Sequence, residues 1–164
     1  MKALKRAAIV LLVTGMLFLL YGCSANVNIS TVMQIDSGFS GSRTMTCAFS
    51  QNDFKTDSVQ AAEIDRIITK YCPPELSYTK KFNGNDTNYT FTLQCTSLDD
   101  YTKKVASILG RQPSVVYSTP DTILTTGYRF SEDFSSADLL GFLVKSIEKE
   151  GKQDQISLSL SCSQ

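Results

Sequence analysis

The chain has 164 residues, with 16 Lys plus Arg against 16 Asp plus Glu, so its formal charge is zero, and 42% of it is apolar. That length suits one domain plus an N-terminal segment, the apolar share excludes a disordered chain, and the balanced charge lacks the basic excess that nucleic-acid binding needs. Histidine and tryptophan are both absent, which removes histidine triads, Cys-His dyads, His-ligated zinc and imidazole pH switches, together with the strongest aromatic interface anchor.

Lys2, Lys5 and Arg6 precede an apolar run from Ala7 to Leu20, the charged and apolar regions of an export signal. The run stops at Leu20-Tyr21-Gly22-Cys23, with an aliphatic residue three before the cysteine and a small residue one before it. This tetrapeptide resembles the lipobox of bacterial lipoproteins, although that family prefers a small residue at the position of Tyr21. The resemblance implies that residues 1–22 are a signal peptide, that cleavage falls between Gly22 and Cys23, and that the Cys23 thiol carries acyl chains such as palmitate. The alternatives are an uncleaved anchor, for which the run is short against the roughly 20 residues that a bilayer needs, and a plain signal peptide cut near Ala25. Loss of residues 1–22 removes three bases and no acid, leaving a net charge of −3. Lipid rather than charge would then hold the body at a membrane. Residues 23–30 are expected as the lipidated N-terminus and a short tether, and 31–164 as a single extracytoplasmic domain.

Beyond the signal, period-two alternation dominates. Val27, Ile29, Met33 and Ile35 share one strand face, which Thr31 interrupts. Met45, Cys47 and Phe49 line the next strand, and Ser37–Gly41 is the turn between the two. Residues 58–71 switch to helical period through Val59, Ile64, Ile67, Ile68 and Tyr71, and stop at Pro73-Pro74. Tyr78–Phe82 and Tyr89–Cys95 form a second hairpin around Asn83–Asp86. Residues 98–109 read as a helix with Ser97 as N-cap, Asp100 three later and Gly110 as the stop. Val115–Tyr117 reads as a short strand ended by Pro120, with residues 118–127 as a loop, and Tyr128 and Phe130 alternate after it. Residues 136–150 read as a third helix, opened by Ser135 and Asp138 and closed by Gly151. Ile156–Cys162 alternates as a closing strand. The fold class is α+β: an antiparallel or mixed sheet of about six strands, with three helices layered on one face in hairpin-helix units. Phe39-x-Gly41 with Cys47 and Phe82-x-Gly84 with Cys95 suggest a residue repeat whose cysteines lie 48 positions apart. This order behind a lipobox resembles, in layout, the mycobacterial LppM-like lipoprotein domain, which implies glycolipid binding and carries over no residue.

Cys47, Cys72, Cys95 and Cys162 are candidate disulfide partners in an exported chain, and four cysteines allow three pairings. The other readings are small apolar fillers, a metal site or a redox pair; the last two lack any Cys-x-x-Cys. The carboxylates at Asp99-Asp100, Glu132-Asp133 and Glu148–Glu150 fall at helix starts or on a charged helix end, where structural roles outweigh a hydrolase pair. Asp53 and Asp133 lack a calcium loop. Ser107 and Ser146, next to lysines, read as solvated helix positions rather than nucleophiles. No cofactor is indicated. The expected function is a lipid-anchored envelope lipoprotein with a non-enzymatic binding or structural head. Its partners would be the membrane and an envelope protein or a lipid or glycolipid. The alternatives are a lipid- or glycolipid-binding module and a carboxylate-based hydrolase.

Overall fold

The computed structural model describes residues 24–50, 58–83, 86–118, 127–151 and 157–162. Three hairpin-helix units and a closing strand follow one another along the chain. The first is β1 (Ser24–Ile35), β2 (Gly41–Ser50) and α1 (Ser58–Tyr71). The second is β3 (Leu76–Asn83), β4 (Asp86–Cys95) and α2 (Leu98–Leu109). The third is β5 (Val115–Ser118), β6 (Arg129–Glu132), α3 (Ser136–Leu139) and α4 (Phe142–Lys149), and β7 (Ser157–Cys162) closes the fold.

The fold is α+β, with a main sheet in the order β3-β4-β2-β1-β7 and a two-stranded sheet of β5 and β6. Within the main sheet only β7 runs parallel to its neighbour β1, with Val27 opposite Leu160 and Ile29 opposite Cys162. The sheet is therefore mixed. The strands divide five and two because β5 and β6 pair only with each other and lay Tyr117 and Phe130 against Phe39 at the β1–β2 turn. Residues 24–30, expected as a tether, are instead the first part of β1, and Ser24 to Ile29 pair with β7.

Alternation decides which face is covered. Met45, Cys47 and Phe49 of β2 and Tyr89, Phe91, Leu93 and Cys95 of β4 are buried, together with Ile64, Ile67 and Ile68 of α1. Tyr101 and Val105 of α2, with Leu143 and Ile147 of α4, complete the covering layer. At about 1.5–3 kcal/mol per fully buried large apolar side chain, this one-sided burial is what joins helices to sheet.

Cap chemistry follows the sequence expectation. The Ser97 side chain accepts from the Asp100 N–H, and Gly110 closes α2 in the left-handed conformation at φ 67°. Ser135 and Asp138 form a reciprocal capping box at the start of α3. The single helix expected over 136–150 is divided at Leu140-Gly141, where the Gly141 N–H bonds to Asp138 O in a tighter turn and α4 starts anew. A Cβ at Gly141 would stand 3.0 Å from that carbonyl.

The residue repeat does not become a structural repeat. Phe39 lies in a turn and Phe82 within β3, while Cys47 pairs with Tyr89 in mid-strand and Cys95 pairs with Gly41 at a strand end. What recurs is the hairpin-helix order alone.

Candidate functional site

Arg43 is the one cation on the covered face of β2, in phase with Met45, Cys47 and Phe49, and it is 5% exposed. Its Nη1 donates to both Glu132 oxygens at 2.6 and 2.8 Å and to the Tyr101 hydroxyl at 2.7 Å. Its Nη2 and Nε donate to Ser136 Oγ at 2.8 and 3.2 Å. Thr31, the residue that interrupts the apolar face of β1, donates to the same Ser136 Oγ at 2.7 Å. The Tyr101 hydroxyl in turn donates to Glu132 at 3.0 Å, and the guanidinium lies 5.5 Å from the Phe134 ring centre. Five elements thus meet on one charge. Burial opposes that charge, but Tyr101 and the Glu132 carboxylate outweigh it and hold Arg43 above the ordinary arginine value. Burial, then the Glu132 charge, push the Tyr101 hydroxyl up against the opposing pull of Arg43, so it stays protonated and can donate. Each guanidinium nitrogen has a partner, which makes this cluster a polar lock on the fold rather than an open site. Its signal in the sequence is a lone arginine in an apolar strand phase.

An open groove of about 300 Å³ lies between the end of α2 and the α3–α4 break. Ile108, Leu109 and Phe142 give it apolar walls, and Arg111, Asp138 and Lys145 give it a polar rim. Arg111 is held by Asp133 at 2.9 Å, and the Asp138 carboxylate is committed to its capping box. Lys145 makes no ion pair among the described residues. The groove can therefore take a small amphipathic group with a negative end.

The opposite face of the main sheet is polar and carries no helix among the described residues. Across it run Ser77, Thr92, Thr44 and Val32 in one row, and Thr79, Thr90, Thr46 and Ser30 in the next. Thr46 and Thr90 share a hydrogen bond at 3.3 Å.

Of the readings of the cysteines as disulfide partners or as small fillers, the structure has the second: Cys47, Cys72, Cys95 and Cys162 are all free thiols. Cys47 and Cys162 both lie opposite Ile29, on the two strands that flank β1. Two strand spacings are about 10 Å, beyond the roughly 7 Å that a disulfide bridges. The Cys72 thiol donates to Leu76 O, and the Cys95 thiol to Phe39 O and Gly41 O. Burial pushes the Cys47 thiol up to about 12 and the Cys72 thiol up to about 11. Neutral thiols of this kind are fillers, not nucleophiles.

The singled-out carboxylates are spread among different partners. Asp99 pairs with Lys103, while Asp100 caps α2 and pairs with Lys104. Glu132 belongs to Arg43 and Asp133 to Arg111. Glu150 is clasped by Arg66, Lys70 and the Tyr71 hydroxyl, joining α4 to α1. Ser107, an exposed position, donates to Glu75, whereas Ser146, expected on a solvated face, is buried in α4. No group of three or more metal-ligating side chains occurs among the described residues. Asp53, Gly22 and Cys23 lie outside them. No protein-family model, curated protein or solved structure matches the chain.

Proposed function

We propose that the chain is a lipid-anchored lipoprotein of a bacterial envelope. Cys23 holds it at the membrane, and residues 24–164 form a non-enzymatic binding or structural head on the extracytoplasmic side. The observation that carries this reading is the lipobox sequence Leu20-Tyr21-Gly22-Cys23, followed at once by a strand that is paired from Ser24 onward. A cut between Gly22 and Cys23 puts the lipid one residue before the paired Ser24. No helix among the described residues is long and apolar enough to cross a membrane. The carboxylates that a hydrolase would use are committed to caps and ion pairs, which favours a head that binds over one that reacts. Replacing Cys23 by alanine should abolish incorporation of labelled palmitate and release the protein from the membrane fraction. Unchanged labelling would overturn the reading.

A second reading, a lipid- or glycolipid-binding module, is favoured by the groove between α2 and α4, with its apolar walls and the Lys145 amine at its rim. Native mass spectrometry of the gently purified head tests it. Extra mass that leaves on unfolding, and that is lost in an Ile108→Glu variant, supports a groove ligand; a bare chain mass counts against one.

A further inference from the structure

We infer that the anchor end of the sheet is a membrane-contacting surface, on which Phe82 enters the lipid interface beside the acylated Cys23. This rests on the anchoring reading above and adds to it an orientation and a second contact.

Three observations lead there. First, β1 is paired from Ser24 onward, so the residue next to Cys23 in the chain already belongs to the sheet. The 12 residues of β1 span about 37 Å, so one end of the molecule is fixed near the bilayer and the other stands well clear of it. Second, the strand register brings the β3–β4 hairpin to that same end. Asn83 pairs with Asp86, and Asp86 with Ser50. Continuing the β1–β2 register past Ile29 and Cys47 sets Ser50 level with Asn26. Third, the core-facing side of β3 loses its cover toward this hairpin. Leu76 is buried, Tyr78 and Lys80 are half-buried, and Phe82 is 73% exposed. A phenylalanine on the apolar face of a strand, with only the Lys80 amine over its ring among the described residues, has a reason to be there if lipid supplies the missing layer.

Geometry and charge set the contact. Phe82 lies about 10 Å short of Ser24 along the strands and about 14 Å to the side, so a tilt of the strands of roughly 35° brings both to one plane. Lys80 sits 5.2 Å from the Phe82 ring centre and is held by Asp65, while Lys81 is exposed beside it. Asp86 stands across the hairpin, so the tip is close to neutral and the contact is driven by the ring, with lysine tails free to reach phosphates. The occupant is the outer surface of the bilayer that receives the Cys23 acyl chains.

The chain has no tryptophan, so one introduced indole reports alone. The experiment uses the processed, acylated protein in vesicles of phosphatidylcholine and phosphatidylglycerol, with and without bromine on the acyl chains. Phe82→Trp should be quenched at least about two-fold by brominated lipid, as expected for a ring buried 5–10 Å into the interface. Tyr128→Trp, at the β5–β6 end and also exposed, should not be quenched. Quenching at both positions, or at neither in a protein whose mass includes the acyl chains, overturns the inference alone; the second result would leave Phe82 for a protein partner. A mass without acyl chains on Cys23 overturns the anchoring reading and this inference with it.

Discussion

Phe39 and Phe82 stand in the same short pattern, Phe-x-Gly, at opposite ends of one sheet, and they meet opposite fates. Phe39 is 1% exposed and Phe82 is 73% exposed. Phe39 packs against Tyr117, Tyr101 and Phe130 with ring centres 4.9, 5.4 and 5.7 Å away. It does so at φ 62°, a left-handed backbone that costs a non-glycine residue about 1–3 kcal/mol. Asp36 holds that turn by accepting from the Gly38 and Ser40 N–H groups. Behind it lies the Arg43 cluster. The end at the β1–β2 turn is thus over-determined by packing, ion pair and turn chemistry together, whereas at the β3–β4 hairpin Phe82 is left exposed. Strain is sustained where several elements converge; exposure is left where a further layer can be added from outside.

The comparison breaks most severely if the Arg43 cluster proves dispensable. Glu132→Ala strands a guanidinium in an apolar site, and the expected loss is about 3–5 kcal/mol. Denaturant unfolding measures it. The double variant Arg43→Met with Glu132→Leu should lose much less than the single one, because no charge is left uncompensated. Equal losses would mean that the pair acts only through packing. Next in size is Phe39→Ala, with an expected loss of about 3 kcal/mol, since the cavity opens among three aromatic rings and the backbone strain remains.

The covered face, the caps of α2 and α3 and the hairpin turns were legible in the sequence because each rests on local rules that agree with one another. The alternation of Tyr89 to Cys95 needs no tertiary knowledge, and neither does Ser97 with Asp100. The parallel return of β7 beside β1 was not legible, because Ser24 and Ser157 are brought together by everything between them. The free cysteines belong to the same class: alternation puts Cys47 and Cys162 in the apolar phase of their strands, but only strand order places β1 between them and leaves Cys162 exposed. Of the candidate sites, Arg43 had a readable signal in its apolar phase, whereas the groove depends on the break at Gly141. Thr31, which looked like an interruption, is a member of the Arg43 cluster through Ser136.

A third test contrasts the buried ion pair with an exposed one. Glu150 is held down to about 2 by hydrogen bonds from Lys70, Tyr71 and Arg66. Its folded value lies below the ordinary 4.5, so its contribution is present above pH 4.5 and fades as pH falls through about 2. Melting curves of the native chain and of Glu150→Gln should therefore differ at neutral pH and converge near pH 2. The difference should be smaller than for Glu132→Ala and should shrink in salt, because solvent screens this cluster. A gap that persisted at the lowest pH would mean that Glu150 acts through its hydrogen-bonding shape and not its charge.

The smallest expected effect sharpens the contrast most. Phe82→Ala should change the stability of the unanchored head by no more than about 0.5 kcal/mol, the range for an exposed position without special partners. The loss of a Lys80 contact across the ring lies within that range. The same substitution type at Phe39 is expected to cost several times more, although the two residues share a sequence pattern and a sheet. If Phe82→Ala proved as damaging as Phe39→Ala, the ring would be part of the core of the isolated head. It would then have no free surface to offer a bilayer, and the two ends of the sheet would be alike. A neutral result in solution, joined to a changed response on vesicles, places the value of that phenylalanine outside the fold, in whatever it touches at the membrane.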